Sequence, residues 1–157
     1  RCPLSIMDII DSRGSPSEQS QRTDTTQPPE GVIDHVEIPV SHFERARSFY
    51  RAALEPIGLE EILSVKAAKG EAWRAGFGKD GYPRLWLVGP RDVAAPIHLA
   101  LRAPSRESVN LFHARALGVE GHDNGEPGIR SRYHDSYYAA YVLDPDGNNI
   151  EAVCQTE

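Results

Sequence analysis

The sequence predicts an α+β fold built from two tandem βαβββ modules, their strands forming a concave, partly closed mixed sheet with the helices outside. Three observations predict it. Displacing the chain by 63 positions aligns "DHVEIPVSHFERARSFYRAAL" (34–54) with "IHLALRAPSRESVNLFHARAL" (97–117). His35, Glu44, Phe49, Ala53, Leu54 and Gly58 then fall on His98, Glu107, Phe112, Ala116, Leu117 and Gly121, where chance identity over average residue usage gives about one or two matches. Each aligned segment opens with apolar residues at period two, continues with apolar residues at helical spacing, and is followed by strand-like runs.

Residues 1–30 precede the repeat. From Asp11 to Glu30 the chain is mostly Ser, Gln, Thr, Asp, Arg, Gly and Pro without apolar periodicity, so it cannot offset its ordering entropy and is expected to be a disordered arm. The domain is expected over 31–157, with modules at about 31–90 and 95–155. In the first module Val36, Ile38 and Val40 alternate as a strand. Ser41 and Glu44 have capping-box spacing, and Phe43, Ala46, Phe49, Tyr50 and Ala53 give the helix that follows, with Gly58 at its exit. Strands are expected near Glu60–Val65, Ala72–Phe77 and Arg84–Val88, the last two joined by "GKDG". The second module repeats this order. Ile97, Leu99 and Leu101 open it, Ser105 with Ser108 offers a weaker capping pattern, and Gly118 marks the helix exit. A loop, "GHDNGEPGIRSRYHDS", replaces part of the next strand, and "DPDG" joins the last two, with Pro145 setting one dihedral and Gly147 in the left-handed position.

Bulk properties narrow the function. A net charge of −6 supplies no basic patch to displace counterions, which argues against nucleic-acid binding. No apolar stretch approaches the roughly 20 residues that span a bilayer, and "PLSIMDII", interrupted by Asp8 and without a cleavage site, reads as neither anchor nor signal. Two cysteines, Cys2 and Cys154, give neither a disulfide framework nor a zinc-type cluster, which fits a reducing, cytoplasmic compartment.

Strand parity points to the chemistry. His35 lies on the face opposite Val36, Ile38 and Val40, and His98 opposite Ile97, Leu99 and Leu101. In the last strand Ile150, Ala152 and Cys154 form the apolar row, so Glu151 also leaves the helix-packed face. Two histidines and one carboxylate on the same side of a duplicated sheet make a site that holds a divalent ion on one face and leaves other positions open to substrate. His35, His98 and Glu151 are therefore the expected metal ligands, for one ion of Fe, Mn, Ni, Co or Zn.

The paired βαβββ units, the strand histidines in "DHVEIPV" and "IHLAL", and the closing "LDPDGNNIEAV" resemble the vicinal oxygen chelate superfamily, which includes glyoxalase I, extradiol dioxygenases, fosfomycin-resistance enzymes and bleomycin-binding proteins. The resemblance extends from Gly31 to Gln155 and does not include the arm. It implies a sheet enclosing a metal that binds substrate through adjacent oxygens, with His35, His98 and Glu151 at the usual ligand positions. Superposing the turns "KDG" (79–81) and "PDG" (145–147) puts Leu85 where Glu151 stands, so the first module brings no carboxylate. Glyoxalase I uses ligands from all four places; three resemble the dioxygenase and fosfomycin-resistance branches more closely.

Around these ligands, "RYHDSYY" (132–138) places His134 and several phenols where a proton donor or oxyanion partner is needed. His134 and Tyr141, the latter nearly opposite Glu151, are candidate catalytic groups; Tyr133, Tyr137, Trp86 and Arg132 are candidate substrate contacts, and Arg130 with Arg132 suits an anionic substrate. Trp73 is a second candidate for an aromatic wall. His42 reads as a surface or capping residue and His113 as exposed or half-buried. Two function classes follow: a metal-dependent lyase, isomerase or dioxygenase acting on a small molecule, and a non-catalytic small-molecule or drug-binding protein. A homodimer is expected, in which either the two modules of one chain close on each other or they exchange, so that His35 of one subunit completes a site with His98 and Glu151 of another.

Overall fold

The computed structural model describes residues 32–66 and 72–156; the arm at 1–30, with "PLSIMDII", lies outside the described residues. Strand β1 (Val36–Pro39) leads into helix α1 (Phe43–Leu54) and a single 3-10 turn (Glu55–Ile57), followed by β2 (Glu60–Lys66), β3 (Trp73–Lys79) and β4 (Tyr82–Gly89). The second module repeats the order with β5 (His98–Arg102), α2 (Arg106–Leu117), β6 (His122–Ile129), β7 (Tyr138–Leu143) and β8 (Asn149–Cys154). The two helices begin and end 63 residues apart, the displacement of the sequence repeat. Each module forms its own four-stranded mixed sheet, ordered β1-β4-β3-β2 and β5-β8-β7-β6, with the first pair parallel and the others antiparallel.

Parity sorts the side chains between faces. Ile38, Ala75, Phe77, Leu85 and Leu87 of the first sheet, and Ala140, Val142, Ile150 and Ala152 of the second, join Phe49, Tyr50 and Phe112 of the helices in one apolar core. The modules meet through this helical layer: α2 packs on α1 and on the 3-10 turn, whereas extensive strand-to-strand packing stays within each sheet. A polar latch reinforces the junction. Buried Asp144 accepts from Tyr50 Oη at 2.8 Å, Asn148 Nδ2 at 2.8 Å and the main-chain N–H groups of Asp146 and Asn148 at 2.9 and 2.8 Å. These four donors stabilise a carboxylate that burial alone would disfavour. No helix among the described residues is long and apolar enough to cross a membrane.

Several local expectations are corrected. Ser41 does not cap α1: the N-cap is His42, which makes no capping bond, while the Ser41 N–H and hydroxyl both reach Asp146 across the module junction. Ser105 does cap α2, accepting the Ser108 N–H at 3.1 Å. The glycine-rich stretch after α2 is not all loop, because His122–Ile129 pairs with β7 through two bulges near Gly125 and Gly128. An edge position tolerates Pro127 and the glycines, whose backbone need bond on one side only. His113 is buried and bonds Asp123 at 2.8 Å. Trp73 shares the parity of Ala75 and Phe77 and stacks on Phe43 at 6.0 Å, so it belongs to the helix side. In β1/β4 register Glu37 pairs with Trp86, as Ala100 pairs with Glu151 in β5/β8; the counterpart of Glu151 is therefore Trp86 rather than Leu85.

Candidate metal centre

Glu151 sits mid-strand in β8, on the face away from the helices, and is 2 % exposed. Its partners are all in its own module. Tyr137 Oη donates to Oε1 at 2.7 Å, and His98 Nε2 approaches Oε2 to 3.2 Å. His98 Nδ1 faces the Asn149 carbonyl oxygen at 3.1 Å. A carbonyl can only accept, so Nδ1 carries the hydrogen, and in the neutral ring Nε2 holds the lone pair. That lone pair and the Glu151 carboxylate face each other with nothing to share unless a proton or a metal cation bridges them. Two bonds of the usual 2.0–2.2 Å to one ion hold ligand atoms about 3.0 Å apart at octahedral angles and about 3.4 Å apart at tetrahedral angles, so the pair's separation suits a common ion.

In the other module His35 is also held through its ring Nδ1. It precedes β1, and its Nδ1 donates to Asp34 Oδ1 at 2.6 Å, while Asp34 Oδ2 accepts from Tyr82 Oη at 2.7 Å. The His35 bond, followed by that of Tyr82, holds the Asp34 carboxyl below its ordinary range. An imidazole whose Nδ1–H rests on a carboxylate presents Nε2 as a ligand, an arrangement common behind bound metals. Among the described residues no three His, Cys, Asp or Glu side chains converge on one point. His98 and Glu151 are brought together; His35 is presented separately.

The phenols gather on the Glu151 side. Tyr137 packs against Tyr133 at 4.8 Å and against the His134 ring at 5.4 Å. Burial, then the bond to Glu151, pushes the Tyr137 phenol well up. Tyr141 stands directly across from Glu151 in the β7/β8 register. Its hydroxyl is buried without a partner at hydrogen-bonding geometry, although the Glu151 charge is close enough, after burial, to raise its pKa. His134 touches Tyr137 rather than Glu151, and its Nδ1 accepts the Ser136 N–H at 3.2 Å, so the neutral ring carries its hydrogen on Nε2. Trp86 lies on the corresponding face of the first sheet, 2 % exposed, with the Arg74 guanidinium 5.1 Å over its ring. Arg74 also pairs with Glu37 at 2.6 Å and keeps a buried Nε without a partner. Arg132 packs on Tyr133 at 4.8 Å.

The sequence reading did not find Asp34, Asn149, Glu37 or Arg74. Asp34 was legible as the carboxylate adjoining a candidate ligand, His35; the other three depend on register across strands.

Comparison with known proteins places the chain in a family. Residues 32–152 match the Glyoxalase/Bleomycin resistance protein/Dioxygenase superfamily. No curated protein matches the chain. A glyoxalase/bleomycin resistance protein from Albidiferax ferrireducens T118 superposes with a TM-score of 0.60 at 24% identity, covering 79% of this chain and 98% of that one. A family enzyme from Burkholderia phytofirmans PsJN superposes with a TM-score of 0.58 at 15% identity, covering 79% and 98%. A V278E mutant of glyoxalase I from Zea mays gives 0.62 at 20% identity over 77% of this chain but 45% of the longer plant protein. At these identities the superpositions show the shared fold, and the family match over 32–152 shows that the chain belongs to the Glyoxalase/Bleomycin resistance protein/Dioxygenase superfamily.

Proposed function

We propose that this protein is a divalent-metal-dependent enzyme acting on a small molecule through adjacent oxygens, as a glyoxalase-like lyase or isomerase or as a dioxygenase. His98 and Glu151 hold the ion, and His35 of a second copy completes the ligand set in a homodimer. The observation that carries this reading is the approach of His98 Nε2 to the buried Glu151 carboxylate at 3.2 Å, with Nδ1 of His98 already committed to the Asn149 carbonyl.

When bound, the ion supplies Lewis acidity to a substrate oxygen. The chain supplies the rest. Tyr137 fixes the second oxygen of Glu151, and Asn149 fixes the orientation of the His98 ring. Tyr141, protonated throughout the neutral range, stands across from Glu151 with Arg130 over its ring, where its hydroxyl can donate to a substrate oxygen. His134 Nε2–H, held on that nitrogen by the Ser136 contact, suits hydrogen-bond donation to a substrate oxygen better than proton abstraction.

A non-catalytic binding protein is the second reading, favoured by one observation: among the described residues a single chain does not converge three ligands. Metal analysis separates the two. Protein purified without added metal is expected to carry about one divalent ion per subunit, lost in His98→Ala and Glu151→Gln. A folded wild-type protein that takes up no Fe, Mn, Ni, Co or Zn on dialysis, or a Glu151→Gln variant that keeps its full complement, would overturn the metal reading.

A further inference from the structure

The stretch Gly125–Tyr133 builds a second feature against the Glu151 face. An open groove of about 690 Å³ is lined by Asn124, Ile129, Arg130, Ser131, Arg132 and Tyr141. Its two guanidiniums are positioned rather than loose. Arg130 lies 5.3 Å over the Tyr141 ring and donates to the Glu126 carbonyl; Arg132 lies 4.8 Å over the Tyr133 ring and donates to its hydroxyl at 3.1 Å. The backbone between them is tied down, with Arg130 N–H on the Tyr137 carbonyl at 2.7 Å and Tyr133 N–H on the Arg130 carbonyl at 2.9 Å. Glycine makes the cradle possible. A Cβ at Gly125 would come within 2.8 Å of the Tyr141 ring, and one at Gly128 within 3.2 Å of Arg130 Nη1.

Among the described residues neither guanidinium forms an ion pair with a carboxylate, and Glu126, which also lines the groove, offers Arg130 only its main-chain oxygen. A stacked guanidinium keeps its in-plane donors pointing outward, the geometry that recognises carboxylates and phosphates. Tyr141, whose buried hydroxyl lacks a partner, forms the wall shared with Glu151. Arg132 reaches the same carboxylate through Tyr133 and Tyr137.

We propose that this groove is the anion-recognition part of the substrate pocket, and that the substrate is a small organic acid whose carboxylate or phosphate is held by Arg130 and Arg132. The substrate role rests on the functional reading above; anion recognition does not need a metal.

The test titrates metal-free protein, followed by amide chemical shifts, with benzoate, phenyl phosphate and the neutral benzamide. At least one anion is expected to shift the amides of 125–133 and to bind at least about tenfold more tightly than benzamide, since a charged hydrogen bond is worth that much. The double substitution Arg130→Gln/Arg132→Gln should remove that preference. The comparison of benzoate with benzamide needs no variant, so it decides even if the double variant fails to fold. Equal binding of neutral and anionic probes, no anion binding, or an anion preference surviving in a folded double variant would overturn the proposal. A protein that never binds metal yet keeps the arginine-dependent preference would sink the metal reading and leave this one standing.

Discussion

Tyr50 and Glu151 are both buried polar side chains, and their partners decide what each does. Tyr50 is fully buried, and burial first, then the Asp144 charge, raises its phenol far above the ordinary value. The folded chain therefore holds that proton more tightly than the unfolded chain. The resulting stability is complete below the unfolded pKa of about 10 and declines as pH rises beyond it. Tyr50→Phe should cost about 1–3 kcal/mol near neutrality by removing a donor from buried Asp144, and should flatten the alkaline decline; urea unfolding at neutral pH and near pH 10 measures both. Glu151 has one donor, Tyr137, and an imidazole that supplies no hydrogen when neutral. Glu151→Gln should therefore leave metal-free stability unchanged or raised while abolishing metal uptake. Tyr137→Phe should keep the ligands but weaken metal binding by about 10–100-fold, the usual effect of losing a group that orients a ligand.

Among the elements, the two helix starts look alike in sequence and differ in structure. Ser105 caps α2, so Ser105→Ala should cost about 0.5–2 kcal/mol, as lost N-caps do. Ser41 serves the module junction through Asp146. A double-mutant cycle of Ser41→Ala with Asp146→Ala should show coupling, whereas Ser105→Ala with Asp146→Ala should be additive. Additivity in the first pair would show that Ser41 and Asp146 do not hold the junction together. β6 depends on glycine in the same literal way: Gly125 has φ +153° and faces the Tyr141 ring, so Gly125→Ala should disturb β6, Arg130 and Tyr141 together.

For the molecule as a whole, the modules join through their helices, and each sheet keeps its chemistry on the opposite face. His35 thus lies in one module with its Nδ1 on Asp34, and His98 with Glu151 lies in the other. In the proposed dimer a site takes His35 from one copy and the pair from its partner. Subunits carrying His35→Ala and Glu151→Gln should each fail alone. Unfolded and refolded together, they should recover metal binding, because every mixed dimer contains one site with all three ligands intact, about one ion per mixed dimer. No recovery in a mixture shown by mass to contain mixed dimers would mean that each site is built within one chain.

Periodicity was sufficient for the duplication, the two helices and the face taken by His98 and Glu151, because a one-residue shift in a strand inverts every side chain and the apolar rows leave no such freedom. Adjacency in sequence also made the His35–Asp34 pair accessible in principle. What depended on tertiary structure was everything set by pairing across strands or between modules. β6 is a strand because β7 supplies partners to a sequence rich in turn residues. Trp86, and not Leu85, opposes Glu37 because the parallel pairing of β1 with β4 sets that register independently of the hairpin turn. The tautomer of His98 follows from the Asn149 carbonyl, 51 positions away, and the separation of His35 from His98 and Glu151 follows from modules that bury their apolar faces against each other through the helices. Local propensity reports which face a side chain takes; only packing decides which two faces meet.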